Sequence, residues 1–241
     1  MSDADTADNT TQDNGLFIKI CGITTVEDAL LAVALGADAV GFILAPSKRQ
    51  IAPQIVRDIA RRVPPEVLTV GVFRNEHPDR VVSIVHEAGL GAAQLHGHES
   101  AAETTEVGRR VPVLIKAFAA GETALDRLDD YGADMLLIDS PIPGSGETFD
   151  WTLAQSIPRD RRVLLAGGLH HENVAEAIRQ VRPWGVDVAT GVERAPGEKD
   201  PLKLKAFIEE ARAEPIDVDP DEPHLPGRPN DWVHDGDRSQ G

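Results

Sequence analysis

Two side chains able to exchange protons follow apolar runs in this sequence of 241 residues. Cys21 comes directly after the run 16–20, beside Lys19, whose positive charge would favour a thiolate that takes up a proton or attacks an electrophile. Asp139 follows the run 135–138, where partial burial would suit a general acid. Taken singly, a lone cysteine is more often a small buried apolar residue, and such an aspartate is as often a cap or turn residue.

Glycine-rich turns are the second chemical feature. They are Gly167–Gly168, Thr190–Gly191 and Gly144–Ser145–Gly146. Such turns present backbone N–H groups to an anion, and a phosphate at paired turns of this kind is a recurrent arrangement in barrel proteins. The alternative is that the glycines serve only tight turns. Because two pairs follow successive apolar runs late in the chain, we favour a phosphate-binding role.

Other polar residues stand at or near the ends of the remaining runs, where they would share one site if those ends meet. They are Lys19, Ser47, Arg49, Arg74, Asn75, Gln94, His96, Lys116 and Asp187.

The elements that must position these residues repeat along the central segment. Apolar runs at 16–20, 39–44, 67–73, 92–95, 113–118, 135–138, 163–166 and 186–189 predict strands. Helical patterns follow them at 26–35, 53–62, 78–88, 100–110, 122–129, from 151, at 172–180 and at 201–211. The runs are continuous rather than alternating, as expected for a parallel sheet that is buried on both faces.

Eight strand–helix units predict an α/β protein that closes into a (β/α)8 TIM barrel, with its site at the carboxyl ends of the strands. Gly36 and Gly132, each shortly before a predicted strand, predict left-handed helix ends. The alternative is an open doubly wound sheet. The first strand–turn lacks the G-x-G-x-x-G pattern, which disfavours a dinucleotide fold.

Composition sets the domain boundaries and excludes several classes of protein. We expect acidic, disordered tails at 1–15 and 214–241 around a catalytic barrel at 16–213, because the tails are acidic and the second is rich in proline. A net charge of −16 disfavours nucleic-acid binding. No apolar run reaches the roughly 18 residues of a membrane span, and one cysteine permits neither an internal disulfide nor a cysteine-based zinc cluster. We therefore expect a cytoplasmic protein without a membrane association.

The kind of charge suggests a protein adapted to high salt. The chain has 23 Asp and 17 Glu, but 18 Arg and only 6 Lys. Carboxylates hold water and counterions, and salt screens their mutual repulsion. An ordinary acidic protein is the alternative. The tails carry ten of the sixteen negative charges, so this hypothesis depends more on the Asp and Arg bias than on net charge.

The order of short motifs along the barrel resembles the phosphoribosylanthranilate isomerases, a family of enzymes of tryptophan biosynthesis. The resemblance covers about residues 16–211. The motifs are KICGIT (19–24), GAD (36–38), GFI (41–43), SKR (47–49), VGVF (70–73), QLHG (94–97), IKA (115–117), GSG (144–146), FDW (149–151), AGGL (166–169), VDV (186–188), GVE (191–193) and GEKD (197–200).

The resemblance implies an Amadori rearrangement of N-(5-phosphoribosyl)anthranilate that uses no metal or organic cofactor. It implies that Asp139 protonates the furanose ring oxygen and that Cys21, as thiolate, removes the proton from C2. It further implies that Arg49 holds the anthranilate carboxylate, for which its planar fork suits it. The glycine turns would hold the phosphate, and Asp187 would lie near the sugar hydroxyls or the amine.

The resemblance leaves the roles of Lys19, Gln94 and His96 open between lining and supporting the pocket. It implies a small phosphorylated substrate, and no obligate protein partner is evident from the sequence. Two other interpretations compete with it. One is the sugar-isomerising barrel of histidine biosynthesis, which has a carboxylate base and a substrate with phosphates at both ends; a second early glycine-rich phosphate site would favour it, and the sequence has none. The other is a binding barrel without catalysis.

Overall fold

The computed structural model describes residues 15–140, 150–154 and 160–215. Its centre is a closed barrel of eight parallel strands in chain order. The strands are β1 (Phe17–Ile20), β2 (Ala39–Ile43), β3 (Leu68–Phe73), β4 (Ala92–Leu95), β5 (Val113–Ala119), β6 (Met135–Asp139), β7 (Val163–Leu165) and β8 (Gly185–Val188). Lys19 of β1 pairs with Ala39 on one side and Asp187 on the other, which closes the ring and confirms the predicted (β/α)8 barrel.

Six α-helices surround the described barrel. They are α1 (Val26–Ala34), α2 (Pro53–Ala60), α3 (Pro78–Ala88), α4 (Ala101–Gly108), α5 (Val174–Val181) and α6 (Pro201–Ala213). Local sequence sets their starts: Thr25 and Asp200 accept backbone N–H groups of the first turn, and Ser100 forms a capping box with Glu103. Gly36 and Gly132 adopt the predicted left-handed conformation.

Two predicted helices take a tighter form. The segments Thr123–Tyr131 and Trp151–Ala154 are 3-10 helices. Arg127, at φ −136° and ψ 37°, interrupts the first segment and prevents a continuous α-helix. A third 3-10 turn, Thr190–Val192, follows β8. None of the helices in the described ranges is long and apolar enough to cross a membrane.

A small antiparallel hairpin that the sequence pattern did not predict lies between β8 and α6. It consists of β9 (Glu193–Ala195) and β10 (Glu198–Lys199). Strands of two or three residues are too short to show a hydrophobic period. The hairpin matters because two of its side chains reach the site described below.

The apolar core has two layers. The larger layer contains residues of both strands and helices, such as Phe42, Phe73 and Phe207, and it lies between the barrel and the helices. The smaller layer draws almost entirely on strand residues, such as Phe17, Val70 and Leu137, and fills the barrel interior. Because side chains alternate along a strand, these inner residues show which polar side chains also point inward.

Candidate active site

A cavity of about 210 Å³ opens at the carboxyl ends of the strands, where the barrel fold predicts a site. The cavity brings together most of the site residues expected from the sequence. Its lining includes Cys21, Arg49, Asp139, Gly167, Gly168, Asp187, Thr190 and Gly191, together with Ser47, Arg74, Gln94 and His96. The predicted turn Gly144–Ser145–Gly146 lies outside the described residues, as do most of both predicted tails.

Cys21 lies at the inner face of the barrel, directly after β1. Phe17 belongs to the inner apolar layer, so alternation turns Lys19 and Cys21 to the same side. Lys19 lies behind the cavity, where its Nζ donates to Asp187 Oδ1 at 2.8 Å and both side chains are buried. Gly41 permits this crowding, since a Cβ there would lie only 2.9 Å from the Cys21 Sγ.

Burial and charge act in opposite directions on this group of side chains. Burial is the largest single influence on the Lys19 ammonium and would lower its pKa, but Asp187 and Cys21 together outweigh it and the pKa is raised. Burial raises the pKa of the Cys21 thiol, although Lys19 and Lys199 oppose the rise. The expectation that Lys19 favours the thiolate is therefore right in direction, but desolvation is the larger effect.

Arg49 is held by a carboxylate that sequence reasoning did not assign to the site. Its Nε donates to Glu193 Oε1 at 2.8 Å and its Nη2 donates to Glu193 Oε2 at 2.6 Å, which is a bidentate pair. Nη2 also lies 3.2 Å from Thr190 Oγ1. Burial alone would raise the pKa of Glu193, but Arg49, Lys199 and the N–H of Gly197 together keep it below the usual range. The guanidinium is thereby fixed beside the loop after β8.

Lys199 is the second residue that sequence reasoning missed. Its buried Nζ donates to the Cys21 carbonyl at 2.6 Å and lies 3.2 Å from both the Ala189 carbonyl and Glu193 Oε1. Both missed residues fall inside recognised motifs, GVE and GEKD. Their place in these motifs was the sequence feature that could have identified them as site residues. The contact of Lys199 with Cys21 itself spans 178 residues and leaves no pattern in the local sequence.

Asp139 lies at the end of β6 and lines the same cavity as Cys21. Its Oδ2 is 3.1 Å from His96 Nε2, and its Oδ1 accepts the N–H of Ser140 at 2.7 Å. The other ring nitrogen of His96 lies 2.9 Å from Gln94 Nε2. Gln94 and His96 therefore both line the cavity and support Asp139, which combines the two roles left open by the sequence.

The two glycine turns after β7 and β8 pack tightly against each other. A Cβ at Gly191 would lie 1.9 Å from the Leu169 carbonyl oxygen, so only glycine fits there. Gly167 and Gly168 both have positive φ, at 88° and 67°. Asn173, before α5, holds this loop by donating to the Gly168 carbonyl at 3.0 Å. The result is a pair of backbone loops at the strand ends that suits an anion.

Lys116 takes part in a different buried pair. Its Nζ lies 2.8 Å from Glu99 Oε2, and neither residue lines the cavity. The Glu99 carboxylate also accepts the N–H groups of Asn75 and Gly97, at 2.8 and 2.9 Å. This pair holds the loops after β3 and β4 together from outside the cavity.

The closed barrel has a cavity at the carboxyl ends of its strands that includes charged and polar side chains, and glycine loops follow β7 and β8. This arrangement is typical of (β/α)8-barrel enzymes that act on small anionic molecules. A family model described as N-(5'phosphoribosyl)anthranilate (PRA) isomerase matches residues 18–210.

Relatives agree with this match in sequence and in structure. The N-(5'-phosphoribosyl)anthranilate isomerase of Desulforudis audaxviator is 49 % identical over 202 residues, which cover 81 % of this chain and 97 % of that protein. The crystal structure of phosphoribosyl anthranilate isomerase from Thermus thermophilus is 46 % identical, with a TM-score of 0.76 and coverage of 81 % and 98 %. A third, solved in complex with reduced 1-(o-carboxyphenylamino)-1-deoxyribulose 5-phosphate, is 40 % identical, with a TM-score of 0.72 and coverage of 82 % and 98 %.

The chain belongs to the phosphoribosylanthranilate isomerase family. It is an isomerase of tryptophan biosynthesis that interconverts an aldose and a ketose.

Proposed function

We propose that this chain converts N-(5-phosphoribosyl)anthranilate to 1-(2-carboxyphenylamino)-1-deoxyribulose 5-phosphate, with Cys21 as general base and Asp139 as general acid. The observation that carries the proposal is the shared cavity, in which the thiol follows β1 and the carboxyl ends β6. Three steps around the eight-stranded ring separate these strands. A sugar ring placed between them would meet the acid on one side and the base on another.

The reaction needs one proton donor and one proton acceptor. Asp139 donates a proton to the furanose ring oxygen, the C1–O bond breaks, and the amine nitrogen supplies the electron pair that forms a Schiff base. The Cys21 thiolate then removes the C2 proton, and the electrons of that C–H bond neutralise the iminium to give an enolamine. The enolamine takes a proton at C1 and loses its hydroxyl proton to give the ketone.

The anionic groups of this substrate match the remaining lining residues. Arg49 binds the anthranilate carboxylate through Nη1, since Glu193 takes Nε and one N–H of Nη2 and Thr190 lies within reach of the other. The loops with Gly167, Gly168, Thr190 and Gly191 bind the phosphate through backbone N–H groups, and we assign Gly144, Ser145 and Gly146 to the same task. Asp187 lies near the sugar hydroxyls or the amine.

The charges around Cys21 support a thiolate. Among the described residues, three cations interact with its sulfur or pair with groups that do, namely Lys19, Arg49 and Lys199, and two carboxylates, Asp187 and Glu193, pair with these cations. The group therefore has one positive charge in excess with a thiol and none with a thiolate. This balance opposes the burial that raises the pKa of Cys21.

The test is a fluorescence assay with the substrate generated in situ. Wild-type protein should convert it with loss of anthranilate-type fluorescence, whereas Cys21→Ala and Asp139→Asn should each lose about 10²–10⁴-fold in turnover because one proton transfer is unassisted. Asp79→Asn is the matched control, since Asp79 is exposed and pairs with Arg110 away from the cavity. Circular dichroism should show an unchanged fold in all three variants.

Two results would contradict the proposal. Absence of conversion by wild type at every salt concentration would exclude the reaction. Near-normal turnover in either Cys21→Ala or Asp139→Asn would remove that residue from the mechanism.

A further inference from the structure

The buried ammonium of Lys199 joins three separate segments of the site. Its acceptors are the carbonyls of Cys21, after β1, and Ala189, after β8, and the carboxylate of Glu193 in β9. An ammonium has three N–H donors, so these three acceptors use all of them. The side chain is fully buried, and Lys199 does not line the cavity.

The same ammonium reaches the carboxylate-binding end of the site through one further residue. Glu193 Oε1 accepts from both Lys199 Nζ, at 3.2 Å, and Arg49 Nε, at 2.8 Å. The N–H of Gly197 reaches the same oxygen at 3.2 Å. The backbone of the proposed base and the guanidinium of Arg49 are therefore connected through one cation and one carboxylate.

We propose that Lys199 is a positioning residue for the reaction, which fixes Cys21 and Arg49 relative to each other by binding the Cys21 carbonyl and the Glu193 carboxylate together. This inference rests on the proposed function, because it holds that one buried lysine sets the distance between the base and the residue that binds the substrate carboxylate. A displacement of about 1 Å in such a geometry can cost on the order of 10²-fold in rate.

A purely structural role for Lys199 would be to hold the hairpin, and the structure provides another residue for that. Lys203, exposed in α6, donates from its Nζ to the Glu193 carbonyl at 2.9 Å. Burial lowers the pKa of the Lys199 ammonium, although Glu193 opposes this. A buried cation is a costly anchor for a surface hairpin, and a well-packed apolar side chain is often at least as stabilising.

The experiment compares Lys199→Met with Lys203→Met in the full chain. Both changes remove a lysine whose ammonium binds Glu193 of β9, but only Lys199 contacts the Cys21 carbonyl and the Glu193 carboxylate. We measure kcat, KM and the rate at which iodoacetamide alkylates Cys21, the one cysteine of the sequence. Circular dichroism and thermal unfolding identify folded variants.

Lys199→Met should lower kcat by on the order of 10²-fold and raise KM, because both Cys21 and Arg49 lose their common support. Its Cys21 should react about tenfold more slowly at constant pH, since a nearby cation that favours the thiolate is gone. Lys203→Met should match wild type in all three measurements.

A folded Lys199→Met protein with wild-type kcat, KM and alkylation rate would overturn the inference, as would equal losses in the two variants. If Lys199→Met does not fold, Glu193→Gln decides, because it keeps the shape of the side chain and removes its charge. It should raise KM more than it lowers kcat, and an unchanged KM would overturn the inference. Failure of the proposed function gives a different result, namely an active Cys21→Ala enzyme, so the two failures can be told apart.

Discussion

The barrel contains two buried lysine–carboxylate pairs with the same separation and different surroundings. Lys19 of β1 contacts Asp187, and Lys116 of β5 contacts Glu99, each with nitrogen and oxygen 2.8 Å apart. In a closed ring of eight strands, β1 and β5 lie on opposite sides. The first pair adjoins the cavity, and the second does not.

The two pairs differ because their lysines lie on opposite faces of the barrel sheet. Lys19 follows the inner residue Phe17 by two positions, so it points into the barrel. Lys116 lies between the inner residues Ile115 and Ala117, so it points outward, and its Nζ is 5.5 Å from the centre of the Phe118 ring. A shift of one residue along the strand thus decides whether the lysine points inward or outward. The inward pair, Lys19 and Asp187, acts on the proposed base, whereas the outward pair, Lys116 and Glu99, holds loops.

The largest expected effect follows from breaking the inner pair. Asp187→Asn should reduce the free energy of unfolding by about 3 kcal/mol, near the lower limit for a broken buried pair because the amide oxygen still accepts from Lys19. Turnover should fall as well, since Asp187 lines the cavity. Alkylation of Cys21 should become faster, because the nearby carboxylate that opposes its ionisation is lost. Denaturant unfolding, the activity assay and iodoacetamide kinetics measure these effects.

The outer pair should show a stability effect without a catalytic one. Glu99→Gln should cost up to about 3 kcal/mol, because Lys116 loses its counter-charge while the amide keeps one acceptor for the loop N–H groups. Its kcat, KM and Cys21 alkylation rate should stay close to those of wild type. A loss of turnover as large as that of Asp187→Asn, in folded protein, would show that the two pairs do not differ in role.

Acid pH should distinguish the outer pair by a smaller effect. Burial alone would raise the pKa of Glu99, but the hydrogen bond and charge of Lys116 lower it. A carboxyl group with a lowered folded-state pKa stabilises the fold above its unfolded pKa of about 4.3, and this contribution disappears as pH falls through the folded-state value. Wild-type stability should therefore fall below about pH 4.3 more steeply than that of Glu99→Gln. Parallel curves from urea unfolding at several pH values would contradict this assignment.

Sequence patterns predicted the elements better than the contacts between them. The eight strands could be located from continuous apolar runs, because each strand of a parallel sheet that is buried on both faces is apolar along its length. The segment Thr123–Tyr131 was harder, because its interruption at Arg127 depends on conformation rather than on a hydrophobic period.

The same limit applies within the site. Cys21 and Asp139 could be proposed as site residues because each directly follows an apolar run, and Cys21 also lies within the motif KICGIT. Glu193 and Lys199 were not assigned, since their importance lies in contacts with Arg49 and Cys21 that span 144 and 178 residues. A short local pattern has no information about such pairings, whereas a closed barrel places its strand ends within one layer.

Added salt should have the smallest effect and should not distinguish the two pairs. Salt screens exposed charges beyond roughly 10 Å at 0.1 M, but it screens buried pairs much less. If the Asp-rich surface is suited to high salt, KCl should raise the unfolding free energy of wild type by less than about 1 kcal/mol. The unfolding free energies of Asp187→Asn and Glu99→Gln should rise as much as that of wild type, because salt screens neither buried pair appreciably. A wild-type stability that stays level or falls with KCl would contradict the high-salt hypothesis, and a gain confined to one variant would show that its ion pair is accessible to solvent.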